Sequence, residues 1–176
     1  MMYQGLIHIY CGDGKGKTTA SLGLAVRCAG RGFKVLIIQF LKNQDTGELH
    51  SLERIPEITI LRSKGNYGFL NKMTEEQKKQ CRIEHDNNLA QGIALGNAGQ
   101  IDLLILDEVI AAFNHDMVDR HLLLDFLKNK PLKLEIVLNG REPDHELTEL
   151  ADYVSEIKKI KHPYDKGIQS RIGIER

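Results

Sequence analysis

The sequence predicts a three-layer α/β fold with a mostly parallel sheet, and three observations support this. Four short runs are apolar nearly throughout and lack clean alternation, which is typical of parallel strands covered on both faces. Helix-like stretches fall between these runs, an order that favours right-handed crossover connections. A chain of 176 residues, 41% of them hydrophobic, suits one domain with a substantial core. We therefore expect a single domain over residues 1–176.

The predicted elements follow in order along the chain. Strong strand candidates occupy residues 6–10, 35–40, 103–106 and 134–138, and weaker ones occupy residues 58–61 and 153–157. Helices are predicted for residues 18–29, 74–96, 116–129 and 143–151. Gly30 suits the end of the first helix, and the capping-box sequence that starts at Thr74 suits the beginning of the second. At the last helix Asp144 is a candidate cap, although Pro143 could equally be the first helical residue.

Two connections, residues 41–50 and 62–73, are longer than ordinary connectors. Each follows a strand, so we expect each at the carboxyl edge of the sheet, where ligands bind in parallel α/β folds. Long loops are often functional. Tyr67 and Phe69 are unusual on the second loop, which is otherwise polar and contains glycines. The alternative is that both aromatic side chains tuck beneath the loop as a small satellite core.

A phosphate-binding loop is the sharpest functional signal. Residues 11–19 read Cys-Gly-Asp-Gly-Lys-Gly-Lys-Thr-Thr and lie between the first strand and the first helix. Glycines let the backbone curl so that several N–H groups converge at a helix start, where anionic oxygens bind. Lys17 adds a positive charge, and the Thr18 hydroxyl can hold Mg²⁺. The candidate nucleotide-binding residues of this loop are Gly12, Asp13, Gly14, Lys15, Gly16, Lys17, Thr18 and Thr19.

This loop departs from the pattern G-x-x-x-x-G-K-[ST] at its first position. Cys11 stands where the first glycine belongs, and Gly12 comes one place late. The alternative is a turn rich in Gly and Lys that binds nothing. The strand–loop–helix context favours phosphate binding, so we expect the chain to handle a nucleoside triphosphate.

A second acidic site follows the third strong strand, where Asp107 and Glu108 end an apolar run in the form of a Walker B element. In phosphate-loop enzymes a strand-end Asp binds Mg²⁺ together with the loop Thr. An unpaired carboxylate at the end of a buried strand would be costly. We therefore expect Thr18 and Asp107 to form a Mg²⁺ site; the alternative is that Asp107 caps a following helix. Glu108 could contact the metal through water, or contact the nucleotide sugar.

Composition argues against several other classes of protein. Lys+Arg and Asp+Glu number 24 each, so the formal net charge is zero, and no basic stripe indicates nucleic-acid binding. The three cysteines are widely spaced and include no C-x-x-C pair, which supports neither a disulfide framework nor a structural zinc site and favours a cytoplasmic location. No apolar run approaches the ~20 residues that span a bilayer, so we expect no membrane association.

The motifs together resemble the phosphate-loop class of cob(I)alamin (corrinoid) adenosyltransferases. The resemblance covers essentially the whole chain. Its most specific part is the tail sequence Lys-His-Pro-Tyr-Asp-x-Gly-Ile at residues 161–168. The segments that carry it are residues 11–19, Leu106-Asp107-Glu108, Asn139-Gly140-Arg141, the tail 161–175, residues 39–42 and Thr46-Gly47-Glu48.

The resemblance implies a RecA-like P-loop NTPase topology, a homodimer and a defined reaction. In that reaction the cobalt(I) of a reduced corrinoid attacks the 5′ carbon of ATP, the adenosyl group moves to cobalt, and triphosphate leaves. ATP and the corrinoid are thus the expected substrates, and Mg²⁺ is the expected cofactor. We expect a separate corrinoid reductase, because no flavin or iron–sulfur motif is visible. The nucleotide is expected to lie in the loop in the reverse sense to ordinary ATPases.

Roles for individual residues are also implied. Lys17, Thr18 and Arg141 would stabilise charge on the departing triphosphate, although Arg141 could instead be a surface residue after a glycine turn. Lys42 would contact an anion or a corrin side chain. Tyr67 and Phe69 look like the aromatic-x-aromatic pair with which the family displaces the lower axial ligand of cobalt.

The chain departs from the family at three points. The usual second aromatic residue is Trp, but position 69 is Phe, and Cys11 and Asn139 stand where Thr is usual. For His162, Tyr164 and Asp165 of the tail we expect a structural role. Two other functions stay open from the sequence, namely a small-molecule kinase or ATPase and a non-catalytic module that binds a nucleotide or a corrinoid.

Overall fold

The computed structural model describes residues 4–42, 44–65, 67–68 and 70–175. Its centre is a sheet in which every strand pair is parallel. The strands are β1 (Ile7–Cys11), β2 (Val35–Gln39), β3 (Ile58–Arg62), β4 (Leu103–Asp107), β5 (Glu135–Asn139) and β6 (Tyr153–Glu156). They lie in the order β3-β2-β4-β5-β1-β6. All the strand candidates of the sequence, including the two weaker ones, are therefore confirmed.

Helices cover both faces of this sheet. They are α1 (Lys17–Ala29), α2 (Gly47–Leu52), α3 (Glu75–Asn97), α4 (Val109–Asn114), α5 (Arg120–Lys128) and α6 (His145–Thr148), with 3-10 turns at Leu70–Lys72 and Pro163–Lys166. Within the described ranges, no helix combines the length and the apolarity needed to cross a membrane.

Side chains of successive strand residues point to opposite faces, and each face has its own core. On β4, Leu104 and Leu106 belong to the larger core, which α3, α4 and α5 cover. Leu103 and Ile105 belong to the smaller core, which α1 and α2 cover. Because both faces are buried, the strand reads as a continuous apolar run, and the predicted three-layer architecture is confirmed.

The helix prediction was wrong at several places, two of them around residues 109–129. Residues 116–129 do not form one helix; α5 begins at Arg120, because the Asp119 side chain caps it by accepting from Leu122 N at 3.0 Å. The separate helix α4 follows directly from β4 and was missed, since its six residues are too few to show a period.

Smaller differences between prediction and structure concern the remaining predicted segments. Residues 41–50 are not all loop, because α2 starts at Gly47, buries Leu49 and packs Leu52 into the smaller core. The helix predicted over 143–151 is limited to α6, and Asp144 is its cap, with its carboxylate accepting from Glu146 N. The capping box at Thr74 is confirmed in both of its hydrogen bonds.

Strand order determines which residues meet at the carboxyl edge. β5 lies between β1 and β4, so the end of β5 separates the phosphate loop from the end of the acidic strand. Asn139 ends β5 and Asp107 ends β4, and both are fully buried. Asp107 and Asn139 lie about 90 and 120 positions after α1 in sequence. The strand order thereby brings both of them to the start of α1, where Thr18 lies.

Candidate active site

The loop between β1 and α1 curls around two glycines with positive φ, 103° at Gly12 and 121° at Gly16. A Cβ on Gly12 would lie 2.4 Å from the Ile157 carbonyl oxygen, so any other residue there would be both strained and in collision. Lys17 is buried, and its Nζ donates to the Gly14 carbonyl at 2.8 Å. Burial lowers the pKa of Lys17. The lysine is thus folded back onto its own loop.

The segment after β6 is hydrogen-bonded to this loop. Gly14 N donates to the Ile157 carbonyl at 2.8 Å, and the exposed Asp13 carboxylate accepts from Lys159 N at 2.9 Å. The hydrogen bond from Lys159 N is the main cause of the lowered pKa of Asp13. In this conformation the Gly14 amide is thus bonded to the chain itself, and its contact with a phosphate stays a prediction that requires this hydrogen bond to open.

Two other residues of the loop face outward. Lys15 and Thr19 are exposed, and Lys15 Nζ donates to Glu175 Oε1 at 3.1 Å. Arg171 binds the same carboxylate, which lowers the pKa of Glu175 far below its usual range. Lys15 thus contacts the C-terminal tail in this structure.

The tail residues His162, Tyr164 and Asp165 lie in a local structure of their own. His162 Nδ1 accepts from Tyr164 N at 3.2 Å and so caps the 3-10 turn at Pro163–Lys166. Asp165 pairs with Lys159, at 3.1 Å from Nζ to Oδ1. These contacts fit the structural role that we expected, and they show how the tail reaches the phosphate loop through Lys159.

Asp107 is the centre of a buried polar network at the carboxyl edge. Its side chain is fully buried and accepts from four side chains. Oδ1 accepts from Thr18 Oγ1 at 3.0 Å and from Asn139 Nδ2 at 2.8 Å. Oδ2 accepts from Lys42 Nζ at 2.7 Å and from Gln39 Nε2 at 3.1 Å. The structure therefore brings Thr18 and Asp107 together, as the sequence predicted.

Asn139 connects this network to its neighbours. Besides Asp107, its Nδ2 group donates to Ser21 Oγ at 2.9 Å, and its Oδ1 accepts from Glu108 N at 2.8 Å. One amide thus ties the end of β5 to α1 and to the turn that follows β4. Sequence reasoning noted Asn139 only as a departure from the usual Thr; that departure was the available signal for its role.

Glu108 has an unusual backbone, with φ of 61°, and is the N-cap residue of α4. The alternative in which Asp107 caps this helix is therefore excluded. Burial raises the pKa of Glu108, while the positive charge of Lys42 opposes that shift. Its carboxyl group thus belongs to the same electrostatic environment as the buried network.

Arg141 follows the buried Gly140 and is exposed. A Cβ on Gly140 would lie 2.6 Å from Ile110 Cβ, so the glycine allows β5 to pass close to α4. The guanidinium lies near enough to depress the pKa of Lys17 further and to favour ionised Glu108. Arg141 is therefore an exposed residue whose charge reaches Lys17 and Glu108, and its contact with a phosphate stays a prediction.

Lys42 lies closer to the network than we expected. Its ammonium donates to Thr18 Oγ1 at 3.0 Å as well as to Asp107. In this structure it contacts protein oxygens of the site. The expectation of an anion or corrin contact therefore requires this side chain to move.

The loop that carries Tyr67 is fastened to α3 by one carboxylate. Tyr67 Oη donates to Glu84 Oε1 at 2.7 Å, and the amides of Lys64 and Gly65 donate to Oε2 at 2.8 and 3.3 Å. The Tyr67 ring packs against the larger core, and burial together with Glu84 raises its pKa to about 12. Tyr67 thus packs against the larger core and not into a separate satellite core, and Phe69 lies outside the described residues.

His85 of α3 was missed as a site residue. It is buried; its Nδ1 lies 2.8 Å from the Met117 carbonyl, and its Nε2 accepts from Leu41 N at 3.2 Å. Since a carbonyl can only accept, Nδ1 carries the proton. A small cleft beside His85 joins Lys42 to Tyr67. Nothing in the local sequence marks this histidine, because both partners are distant along the chain.

Comparisons with known proteins show which family this sequence resembles. A family profile described as "ATP:corrinoid adenosyltransferase BtuR/CobO/CobP" matches residues 3–176. The corrinoid adenosyltransferase of Escherichia coli (strain K12) is 31% identical over 176 residues, which cover 98% of this chain and 86% of that protein. The corrinoid adenosyltransferase of Pseudomonas aeruginosa is 28% identical over 173 residues, which cover 98% and 84%.

A solved structure shows the same fold. The KaiC-like protein PH0186 of Pyrococcus horikoshii OT3 aligns with a TM-score of 0.54 and 15% identity, over 88% of this chain and 73% of that one. That likeness concerns the fold alone, and it confirms the predicted RecA-like class. The profile covers nearly every residue, including the phosphate loop, the acidic strand end and the tail. The chain therefore belongs to the ATP:corrinoid adenosyltransferase family.

Proposed function

We propose that this protein grips the triphosphate of ATP at the carboxyl edge of its sheet while a corrinoid takes the adenosyl group. The cobalt(I) of the corrinoid supplies an electron pair to C5′, the cobalt–carbon bond forms, and the bond from C5′ to the triphosphate oxygen breaks. Triphosphate leaves with the pair from that bond. The observation that carries the proposal is the direct contact of Thr18 in the phosphate loop with Asp107 at the end of β4.

Because cobalt(I) is itself the nucleophile, the protein must position two substrates and stabilise charge on the leaving group. Lys17 is the first candidate, since its ammonium is buried at the helix start and would exchange the Gly14 carbonyl for a phosphate oxygen. Arg141 offers a forked set of donors to the same anion. The remaining loop residues, from Gly12 to Thr19, are proposed to line the phosphate site, which requires the Gly14 amide to leave the Ile157 carbonyl and Lys15 to leave Glu175.

The residues at the strand end fit Mg²⁺. The Thr18 hydroxyl and the Asp107 carboxylate are adjacent hard oxygen donors, and Mg²⁺ typically uses one or two protein oxygens together with water and substrate phosphates. Gln39 Oε1 is buried beside Asp107 without a hydrogen-bond partner among the described residues, and metal-bound water would be a donor for it. The described residues contain no group of three or more His, Cys, Asp or Glu side chains that could bind a metal. A bound Mg²⁺ would supply charge neutralisation for the triphosphate.

The corrinoid is proposed to lie against the loop of residues 62–73. Tyr67 and Phe69 would displace the lower axial ligand of cobalt, and Lys42 would meet an anionic group of either substrate once it leaves Asp107. Phe69→Ala should therefore lose much more activity when the enzyme must bind cobalt(II) for reduction than when cobalt(I) is supplied. Equal losses in both conditions would contradict this role.

The cellular setting is part of the same proposal. We expect a single-domain enzyme that works as a homodimer in the cytoplasm and receives electrons for cobalt from a separate corrinoid reductase. The cysteines at positions 11, 28 and 81 are not paired in disulfides among the described residues, as we expect for a protein of a reducing compartment.

One assay tests the reaction. The protein is mixed with Mg-ATP and a chemically reduced corrinoid, and both the cobalt–carbon bond and free triphosphate are measured. We expect both products, in equal amounts and only when the corrinoid is present. Release of ADP would instead indicate a kinase or ATPase, and tight binding without turnover would indicate a carrier module.

A matched pair of variants tests the phosphate role. Lys17→Ala should lower kcat/KM by about a hundredfold or more, as expected for a charge that stabilises a leaving group. Lys133→Ala, an exposed lysine before β5 at the opposite edge of the sheet, should keep full activity. Full turnover by the Lys17 variant would contradict the proposed mechanism.

A further inference from the structure

Lys42 is placed where a metal ion would otherwise meet the protein. Its Nζ lies 2.7 Å from Asp107 Oδ2 and 3.0 Å from Thr18 Oγ1. These two residues are the proposed ligands of Mg²⁺. The Asp107 side chain is fully buried, whereas that of Lys42 is 26% exposed, so the lysine reaches in from the solvent side.

The backbone before Lys42 is shaped to aim this side chain inward. Leu41 has a φ of 54°, which is uncommon for a branched apolar residue and requires support from its surroundings. That support comes from His85, which accepts a hydrogen bond from Leu41 N. On the preceding side, Phe40 N donates to the Asp107 carbonyl at 2.9 Å. The turn is therefore fixed on both sides of the strained residue.

With Lys42 in place the carboxylate of Asp107 is fully engaged. Each of its oxygens accepts from two side chains, and its charge is balanced by the ammonium. A divalent cation at Thr18 and Asp107 would meet a like charge within a few ångströms, in surroundings where such repulsion is strong. The metal and the ammonium therefore exclude one another at these oxygens.

We propose that Lys42 is a tethered cation that fills the Mg²⁺ site of the nucleotide-free protein, so that the metal binds only together with the triphosphate. Arrival of the polyphosphate supplies the negative charge that lets Lys42 leave Asp107 and the metal take its place. This inference rests on the metal site of the proposed function. It adds the condition that the metal binds there only when the triphosphate is also bound. It assigns to Lys42 control of metal affinity in addition to any contact with substrate.

Metal binding without nucleotide tests the proposal. Mn²⁺, which shares the preference of Mg²⁺ for oxygen ligands, is titrated into the nucleotide-free protein, and the free ion is followed by its EPR signal. Lys42→Met keeps the length of the side chain without its charge and should bind Mn²⁺ about ten- to a hundredfold more tightly than the wild type. Lys42→Gln, which retains a neutral donor, should also gain affinity and serves if the Met variant does not fold.

Two further variants show whether the additional Mn²⁺ affinity arises at the proposed site. Lys158→Met removes an equal charge from an exposed lysine at the same edge, beyond β6, and should leave Mn²⁺ affinity unchanged. Adding Thr18→Val to Lys42→Met should abolish the gain. Equal affinity of wild type and both Lys42 variants would overturn the proposal, as would a gain shared by Lys158→Met or one that survives Thr18→Val.

The readout is independent of adenosyl transfer. A wild-type protein that forms no cobalt–carbon bond would overturn the proposed function and leave the Mn²⁺ comparison intact. Conversely, an active enzyme whose Lys42 variants bind Mn²⁺ like the wild type would overturn only this inference.

Discussion

Replacement of Asn139 by alanine is the sharpest test of how the buried network is built. The side chain is fully buried, and its amide makes three hydrogen bonds, to Asp107, Ser21 and Glu108 N. Alanine removes all three and leaves a buried N–H and part of a buried carboxylate without partners. The substitution therefore leaves buried polar groups without hydrogen-bond partners, in addition to removing side-chain volume.

The magnitude follows from those contacts. A hydrogen bond contributes about 1 kcal/mol net, and one to a charged group about 1.5–3 kcal/mol. Because the three bonds share one side chain, we do not add the upper values, and we expect Asn139→Ala to lose about 3 kcal/mol of unfolding free energy. For a chain of this size that loss corresponds to a fall in Tm of about 6–12 °C.

Thermal and urea denaturation, followed by circular dichroism, would measure the effect. Asn87→Ala is the matched control, since Asn87 is exposed on α3 and its replacement should change stability by less than about 0.5 kcal/mol. A loss below about 1 kcal/mol for Asn139→Ala would refute the reasoning, because it would mean that the network reorganises at little cost.

Three further predictions concern other parts of the site. Gly140→Ala should lose about 2–3 kcal/mol in urea denaturation, since φ is 153° there and a Cβ would collide with Ile110. Glu84→Gln should raise KM for the corrinoid more than KM for ATP, because Gln presents an amide donor where the carboxylate accepts from the loop that carries Tyr67. Burial holds the pKa of His85 below 6.5, so the unfolded chain takes up that proton first and the free energy of unfolding falls as pH drops below 6.5. His85→Gln should flatten this pH dependence.

For each of these three predictions, one experimental result would contradict the reasoning. Gly23→Ala on α1, where a Cβ meets open space, should stabilise by about 0.5–1 kcal/mol, and an equal response at both glycines would remove the steric argument for position 140. Parallel rises of both KM values in Glu84→Gln would mean a general structural defect. An unchanged pH slope in His85→Gln would assign the acid sensitivity to other groups.

The fold was readable from the sequence where local signals agreed. Each of the strands predicted from apolar runs is present, and the capping box at Thr74 gave the start of α3. Predictions failed where a helix was short or its start depended on one side chain. α4 has too few residues to show a period, and α5 is separated from the residues before it by the Asp119 cap and by the positive φ of 54° at Asp116.

The site could be predicted in part, again where local sequence motifs mark the residues. Thr18 and Asp107 carry local motifs, so their meeting could be predicted from strand topology alone. The roles of Lys42, Glu84 and His85 could not, because their partners lie between 17 and 65 positions away in sequence and no local pattern specifies such contacts. The role of Asn139 could be predicted only in part. The sequence marked the position, because Thr is usual there, but it did not indicate the hydrogen bonds that Asn139 makes.

Attraction of a polyphosphate to this chain must be local, because the formal net charge is zero. Charges more than a Debye length away, about 8 Å at physiological ionic strength, contribute little. At the site, the cations Lys17, Lys42 and Arg141 face three carboxylates, those of Asp107, Glu108 and the exposed Asp13. Without the ammonium of Lys42, the carboxylates would outnumber the cations. The ion pair of Lys42 with Asp107 therefore keeps the site from repelling triphosphate before the nucleotide arrives.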